Sequence, residues 1–215
     1  MILPEKESNS QSEVLAGQLC NQLGISHRVI DISRILQNYG VYTDREKIVS
    51  KNFPDFNESC KYRLIFNENF DNDGLSIPYL EVLDQSNKVH KIKISLDDYR
   101  KITGATNIKH RIRMTQLYYH AESQNYLVCG TTNKAEFQQG YFVKYGDGGV
   151  DIEPLANLFK TQVYQLAKFL NIPREIIERK ASPDTWSFDV SDEEFFFSLP
   201  YEIIDLMLYL SLIHI

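Results

Sequence analysis

The residues best suited to chemistry fall in one stretch, Asn107 to Asp151. It opens with Asn107-Ile-Lys-His-Arg111-Ile-Arg113-Met114 and continues with Gly130-Thr131-Thr132-Asn133-Lys134-Ala135-Glu136. It closes with Gly140-Tyr-Phe-Val-Lys144-Tyr-Gly146-Asp147-Gly-Gly-Val-Asp151. In order these read as a basic helix, a strand ending in a hydroxyl-rich turn, and a glycine-punctuated loop with one lysine and two aspartates. Cations, hydroxyl and amide donors and a lone glutamate are the parts that hold polyphosphate and a metal ion.

Each part also has a plainer explanation. Gly130 to Asn133 follows an apolar run, which places it at the carboxyl end of a strand, where α/β sheets bind ligands. Equally, Asn133 and Glu136 can simply cap the next helix. Gly146-Asp147-Gly148-Gly149 is a turn in any protein. Lys144 and Asp151 can pair on the surface, and a lysine opening a helix, as Lys160 does, is commonly solvated. Arg111 and Arg113 stand about 200° apart on a helix, so at most one of them points into a given site. Order and spacing carry the argument, not any single motif.

The elements that must position these residues alternate. Ser10-Gln-Ser-Glu13 is a capping box, and the helix it opens carries Ala16, Leu19, Cys20 and Leu23 at helical spacing until Gly24. Short strands are expected near Met1–Leu3 and Arg28–Ile32. A helix with Met114, Leu117, Tyr118 and Ala121 on one face precedes a buried strand over Tyr126–Cys129. A further helix near Lys160–Leu170 carries Val163, Leu166, Ala167 and Leu170, and Asn171-Ile-Pro173 ends it. This rhythm predicts an α/β fold, a doubly wound parallel sheet covered on both faces.

Residues 45–100 break the rhythm. Runs at 60–66, 77–83 and 89–95 read as short strands, the last two flanking the polar connection Asp84-Gln-Ser-Asn-Lys88. They are expected to form a β-rich insertion, a flap apart from the main sheet. Near the end, Ile203, Leu206, Met207 and Leu210 form a helical stripe, and Leu212-Ile-His-Ile215 closes it without cap or polar tail. Together with the abrupt Met1-Ile-Leu-Pro4 opening, this reads as one domain over 1–215, truncated at both ends.

A formal charge of -6 argues against a nucleic-acid partner, since phosphate backbones demand clustered excess cations. Cys20, Cys60 and Cys129 are odd in number, far apart and without metal-ligand spacing, so they read as reduced thiols. Cys129 is expected to be a small buried hydrophobe. No signal-peptide pattern opens the sequence, and no apolar run approaches the roughly 18 residues a membrane span needs. The expectation is a cytoplasmic protein with no membrane partner.

From Asn107 to about Tyr209 the sequence resembles the ATP-dependent NAD synthetases of the ATP pyrophosphatase superfamily, whose fold is adenine nucleotide alpha-hydrolase-like. The matching series is Asn-x-x-x-Arg-x-Arg-Met, Gly-Thr-x-x-x-x-Glu, the Lys144-centred loop through Gly149, an aspartate before Leu/Ile-x-Pro, and a lysine-bearing helix start. A Ser/Thr-x-Asp loop and an acidic pair before a Tyr-x-x-x-Asp helix follow. Residues 1–33 also resemble the family's second strand, helix and third strand. The family's Ser-Gly-Gly-x-Asp-Ser pyrophosphate loop has no counterpart in the sequence, and Ala181-Ser182-Pro183-Asp184-Thr185-Trp186 replaces the usual Pro-Ser/Thr-Ala-x-Leu.

The resemblance implies ATP as co-substrate, contacted by Thr131, Lys160 and Ser182, with Glu136 as a Mg2+ ligand. It implies that Arg111, Lys144 and Asp151 hold deamido-NAD. The carboxylate of deamido-NAD would be adenylated and then amidated by ammonia, free or delivered by a glutaminase domain or subunit. No residue is needed as a covalent catalyst, in keeping with the absence of a Ser/His/Asp or Cys/His arrangement. A homodimer is implied as well, and the 215-residue chain alone is expected to be weakly active or inactive. Two alternatives stay open: an adenylating synthetase for another carboxylate, and a non-catalytic nucleotide-binding module.

Overall fold

A row of helices comes first. In the computed structural model, which describes residues 1–66 and 77–213, these are α1 (Ser10–Gln22), α2 (Ser33–Asn38) and α3 (Val41–Asn52). The cap of α1 is Asn9, whose side chain accepts from the Gln11 N–H at 2.9 Å, rather than the expected Ser10–Glu13 box. The reason is tertiary. Asp184 accepts the Asn9 N–H at 2.7 Å and fixes Asn9 in the extended backbone a cap requires.

Strands β1 (Lys61–Phe66), β2 (Pro78–Leu83) and β3 (Val89–Lys93) form an antiparallel sheet in the order β1-β2-β3. Leu80 pairs with Leu64 and with Ile92, so one face gathers apolar residues from all three strands. The predicted strands are therefore present and, among the described residues, pair only with one another, separate from the parallel pairings, though their sheet packs closely on the helices. Tyr62, Leu64, Leu80 and Val82 share one core with Val49, Ile102 and Trp186. A three-stranded sheet with an apolar face needs such cover to be stable.

Helix α4 (Leu96–Gln124) is the spine of the molecule, about 44 Å long at 1.5 Å per residue. It starts well before the basic segment because Ser95 caps it, accepting from the Asp98 N–H at 3.1 Å. Ile102 joins the β-sheet core, Ile108 and Ile112 pack on Ile32 and Leu36, and Met114 and Ala121 pack on Val128. One helix thus links three apolar clusters.

The parallel component consists of two short pairings, Ile2 with Val29 and Cys129 with Ile152. Their backbone bonds include Ile2 N–H to Arg28 O and Gly130 N–H to Ile152 O, both 2.8 Å. A cleft separates them, with Met1 and Leu3 on one wall, Cys129 and Gly130 on the other, and Leu117 of α4 beneath. Cys129 is consequently exposed, not buried, and Tyr126 and Leu127 are exposed beside it. The strand is paired on one side, and its other edge faces the cleft.

After the glycine-rich loop come α5 (Lys134–Gln139), α6 (Lys160–Phe169), α7 (Arg174–Ile177), a π-helical turn over Glu193–Phe197 and α8 (Tyr201–Ile213). Helix α8 buries Tyr201 and Ile204 against Ala135, while Ile203, Leu206, Met207 and Leu210 face outward. The buried stripe is offset from the one read in the sequence. His214 and Ile215 of the apolar ending lie outside the described residues. Among the described residues no helix is long and apolar enough to cross a membrane.

Candidate functional site

A cavity of about 340 Å³ opens beside the 128–130 strand end. Thr131, Thr132 and Glu136 line it from the strand-to-helix turn, Tyr141 and Asp147 from the glycine-rich loop, and Ser182 and Trp186 from the segment before the π-helical turn. The turn is narrow because Gly130 runs against Val150: a Cβ there would lie 2.6 Å from Val150 Cγ2. Only glycine permits that approach.

Asn133 and Glu136 form a capping box, with the Glu136 N–H donating to Asn133 Oδ1 at 3.1 Å and the Asn133 N–H to Glu136 Oε2 at 3.0 Å. The other oxygen, Oε1, accepts from Lys160 Nζ at 3.2 Å. Lys160 is brought there by the start of α6, with its ammonium 5.1 Å from the Tyr201 ring centre. Glu136 therefore has the capping role and a cavity-lining position at once.

Among the described residues there is no cluster of three or more His, Cys, Asp or Glu side chains that could hold a metal. Mg2+ needs less, because it retains water and is bound by one or two carboxylates together with substrate phosphates. The half-buried Glu136 carboxylate, beside the Thr131 hydroxyl in the cavity wall, fits that donor set.

Ser182 is exposed and lines the cavity, its hydroxyl accepting the Asp184 N–H at 3.2 Å. The 182–186 segment is held from behind by buried charge. Lys109, fully buried, donates to Thr185 O at 2.8 Å, to Glu5 Oε1 at 2.9 Å and to Glu7. Arg45, also fully buried, donates to Glu7 at 2.7 Å and lies over both the Tyr62 and Trp186 rings. Asp184 is in turn tied to the start of α1 through Asn9 and Ser12. The replacement of the common loop sequence by one containing Trp186 thus has a structural partner in Arg45.

Asp192 escaped the sequence reading. It is buried, it lines the same cavity, and its two oxygens accept from Tyr141 Oη at 2.9 Å and Tyr201 Oη at 3.2 Å. Burial pushes its carboxyl above the ordinary range. Burial likewise pushes the Tyr141 and Tyr201 hydroxyls far up, so both remain donors. The signal in the sequence was the acidic run Asp192-Glu193-Glu194 before the Tyr-x-x-x-Asp helix, but nothing local marked which carboxylate turned inward. His110 was also missed; it lines the cavity from α4, and burial pushes its imidazole down to about 4.

The other three predicted residues lie elsewhere. Arg111 Nε donates to Lys144 O at 3.2 Å, which brings these two segments together on the surface. Asp151 accepts Tyr118 Oη at 3.0 Å and the Val128 N–H at 2.7 Å. Tyr118 follows Arg111 by two turns on the same face of α4, about 10 Å along the axis. None of the three lines the cavity that holds Thr131, Glu136 and Ser182. Arg113 points the other way, to Leu3 O and Ser8, as the 200° separation requires.

The NAD synthase family model matches residues 73–214. An NH(3)-dependent NAD(+) synthetase from Mesorhizobium japonicum is 39% identical over 209 residues, covering 97% of this chain and 66% of that protein. One from Rhizobium meliloti is 38% identical, covering 97% of this chain and 63% of that protein. Among solved structures, NMN synthetase from Francisella tularensis superposes with a TM-score of 0.65 at 26% identity, covering 96% of this chain and 64% of the other. The chain thus spans just under two thirds of the length of these relatives. The structural likeness bears out the adenine nucleotide alpha-hydrolase-like α/β fold expected from the alternation of elements.

Proposed function

The chain belongs to the NAD synthase family, and from that premise we propose that the protein it spans is an ATP-dependent ligase. Its reaction is amidation of the nicotinate carboxylate of deamido-NAD by ammonia, giving NAD. The observation that carries this reading is the meeting of Thr131, Glu136 and Ser182, from separate segments, at one cavity beside a parallel strand end. Strand ends of this kind are where α/β folds hold nucleotides.

The chemistry asks little of the protein beyond charge and position. A carboxylate oxygen of the acceptor attacks the α-phosphorus of ATP, the bond to the pyrophosphate oxygen breaks, and an acyl-adenylate forms. Ammonia then adds to the acyl carbon, the carbon–oxygen bond to AMP breaks, and a proton is lost from nitrogen. Thr131 and Ser182 donate to phosphoryl oxygens, and Lys160 neutralises the charge that develops there. Glu136 would hold Mg2+, which would supply further neutralisation of the phosphates. Arg111, Lys144 and Asp151 hold the dinucleotide along the second half of α4, with two cations for its anionic groups. The protein works in this reading as a cytoplasmic homodimer, with ammonia free or delivered by a glutaminase.

The test is an assay of the full-length gene product with ATP, Mg2+, ammonium and deamido-NAD. NAD, AMP and pyrophosphate should appear in equal amounts. Pyrophosphate release without any amide product would overturn the proposal. A second reading is favoured by the likeness to an NMN synthetase: the same chemistry on the mononucleotide acid, giving NMN. The ratio of kcat/KM for the two acceptors decides between them, and a preference for the mononucleotide supports the second.

A further inference from the structure

We infer that Asp184 is a positioning residue for ATP. Its carboxylate fixes the 182–186 segment to the start of α1, and its backbone N–H sets the Ser182 hydroxyl toward the phosphates. The inference rests on the proposed role of Ser182 as a donor to phosphoryl oxygens, and it adds a residue that acts through Ser182 alone.

Ser182, Pro183, Thr185 and Trp186 line the cavity, and Asp184 in their midst does not, because its side chain turns away to α1. One carboxylate oxygen accepts the Asn9 N–H at 2.7 Å and the other accepts the Ser12 hydroxyl at 2.9 Å. The dipole of α1 favours an anionic group at this end of the helix as well. On the next residue, the Thr185 carbonyl accepts from Lys109 of α4 at 2.8 Å. Two consecutive residues of the cavity wall are thus fastened to two different helices.

These ties hold an uncommon backbone in place. Asp184 has a φ of 49°, in the left-handed region that residues other than glycine adopt rarely. Such a conformation persists where the surrounding structure over-determines it. In it the Asp184 N–H faces back to Ser182 and donates to its Oγ at 3.2 Å. A hydroxyl has one hydrogen to give and two lone pairs that accept. With one lone pair taken by the backbone, the Ser182 hydrogen is directed away from that N–H. Ser182 is exposed in the cavity wall, so a phosphoryl oxygen there can take it.

Calorimetric titration of the full-length protein with ATP and Mg2+ reads the positioning without any need for turnover. Asp184→Gly keeps the left-handed backbone and its N–H but removes both ties. The Kd for ATP should rise about tenfold, the order expected for loss of a hydrogen bond to a charged group. Asp184→Asn keeps an acceptor and tolerates this backbone, so it should recover most of the loss. In a Ser182→Ala background, which itself weakens ATP, Asp184→Gly should change Kd by no more than about twofold. A merely structural role would instead give the same loss in both backgrounds, and that result overturns the inference. So does an absence of ATP binding, or an affinity indifferent to either residue. If Asp184→Gly does not fold, Ser12→Ala removes one tie alone. Its smaller loss should likewise vanish in the Ser182→Ala background, and a loss that persists there overturns the inference. A full-length protein that forms neither amide, while this coupling persists, overturns the amidation reading and leaves the positioning of Ser182 standing.

Discussion

Lys109→Met removes the cation that joins the N-terminal segment to the wall of the cavity. The lysine is fully buried, and three acceptors share its ammonium: Glu5, Glu7 and the Thr185 carbonyl. After the substitution Glu5 keeps the Tyr42 hydroxyl at 2.6 Å and Glu7 keeps Arg45 at 2.7 Å. Two buried carboxylates then depend on one guanidinium. Removing one member of a buried ion pair costs about 3–5 kcal/mol, because the remaining charge stays desolvated. Against a domain stability of roughly 5–15 kcal/mol, that is a large share. The assay is urea unfolding followed by the fluorescence of Trp186, the single tryptophan of the chain. Trp186 sits next to the carbonyl that loses its donor, so its emission should also shift to the red in the folded state. A double variant, Lys109→Met with Glu7→Gln, should recover part of the loss. A single variant destabilised by less than about 1 kcal/mol, far below the range for a broken buried pair, would refute the view that this cluster holds the loop.

The same cluster makes stability depend on acid. Burial alone pushes the Glu7 carboxyl up, but Arg45 and Lys109 together outweigh it and hold the group below its ordinary value. Its contribution is therefore present above the unfolded value and lost as pH falls through the lower native one, so Glu7→Gln should flatten the fall in urea midpoint between neutral and acidic pH. In the full-length protein Glu136→Gln should fold normally, since glutamine also serves the capping box, yet cut adenylation by orders of magnitude. A wild-type rate with wild-type magnesium dependence would return Glu136 to the capping role alone. Lys144→Ala should raise the KM for deamido-NAD roughly tenfold or more, in line with loss of a hydrogen bond to a charged group, and leave ATP nearly unchanged. Lys160→Ala should do the reverse, and equal effects on both substrates would collapse the two subsites into one.

What the sequence disclosed and what it hid follow from the range over which each feature is determined. The Asn133–Glu136 cap, the strands read at 60–66, 77–83 and 89–95 and the α6 start are local: propensity, turn chemistry and spacing decide them within a few residues. Thr131, Glu136 and Ser182 could be named from the family resemblance. Their meeting in one cavity could not, because it depends on α4 and on a buried Lys109 that the sequence shows only as part of a basic helix. Lysine is almost never fully buried unless paired, and its partners Glu5 and Glu7 lie about a hundred residues away. The cap of α1 moved to Asn9 for the same reason, since its fixing partner Asp184 belongs to the far end of the chain. Asp192 is the sharpest case. Among Asp192, Glu193 and Glu194, composition gives no preference; the π-helical turn and two distant tyrosines turn one carboxylate inward and leave the others to bond their own segment. An extra residue in a helical turn re-aims side chains, and such turns recur at functional sites. The part of this site that the sequence left unmarked is thus the part where backbone geometry, rather than residue type, decides which charge faces the cavity.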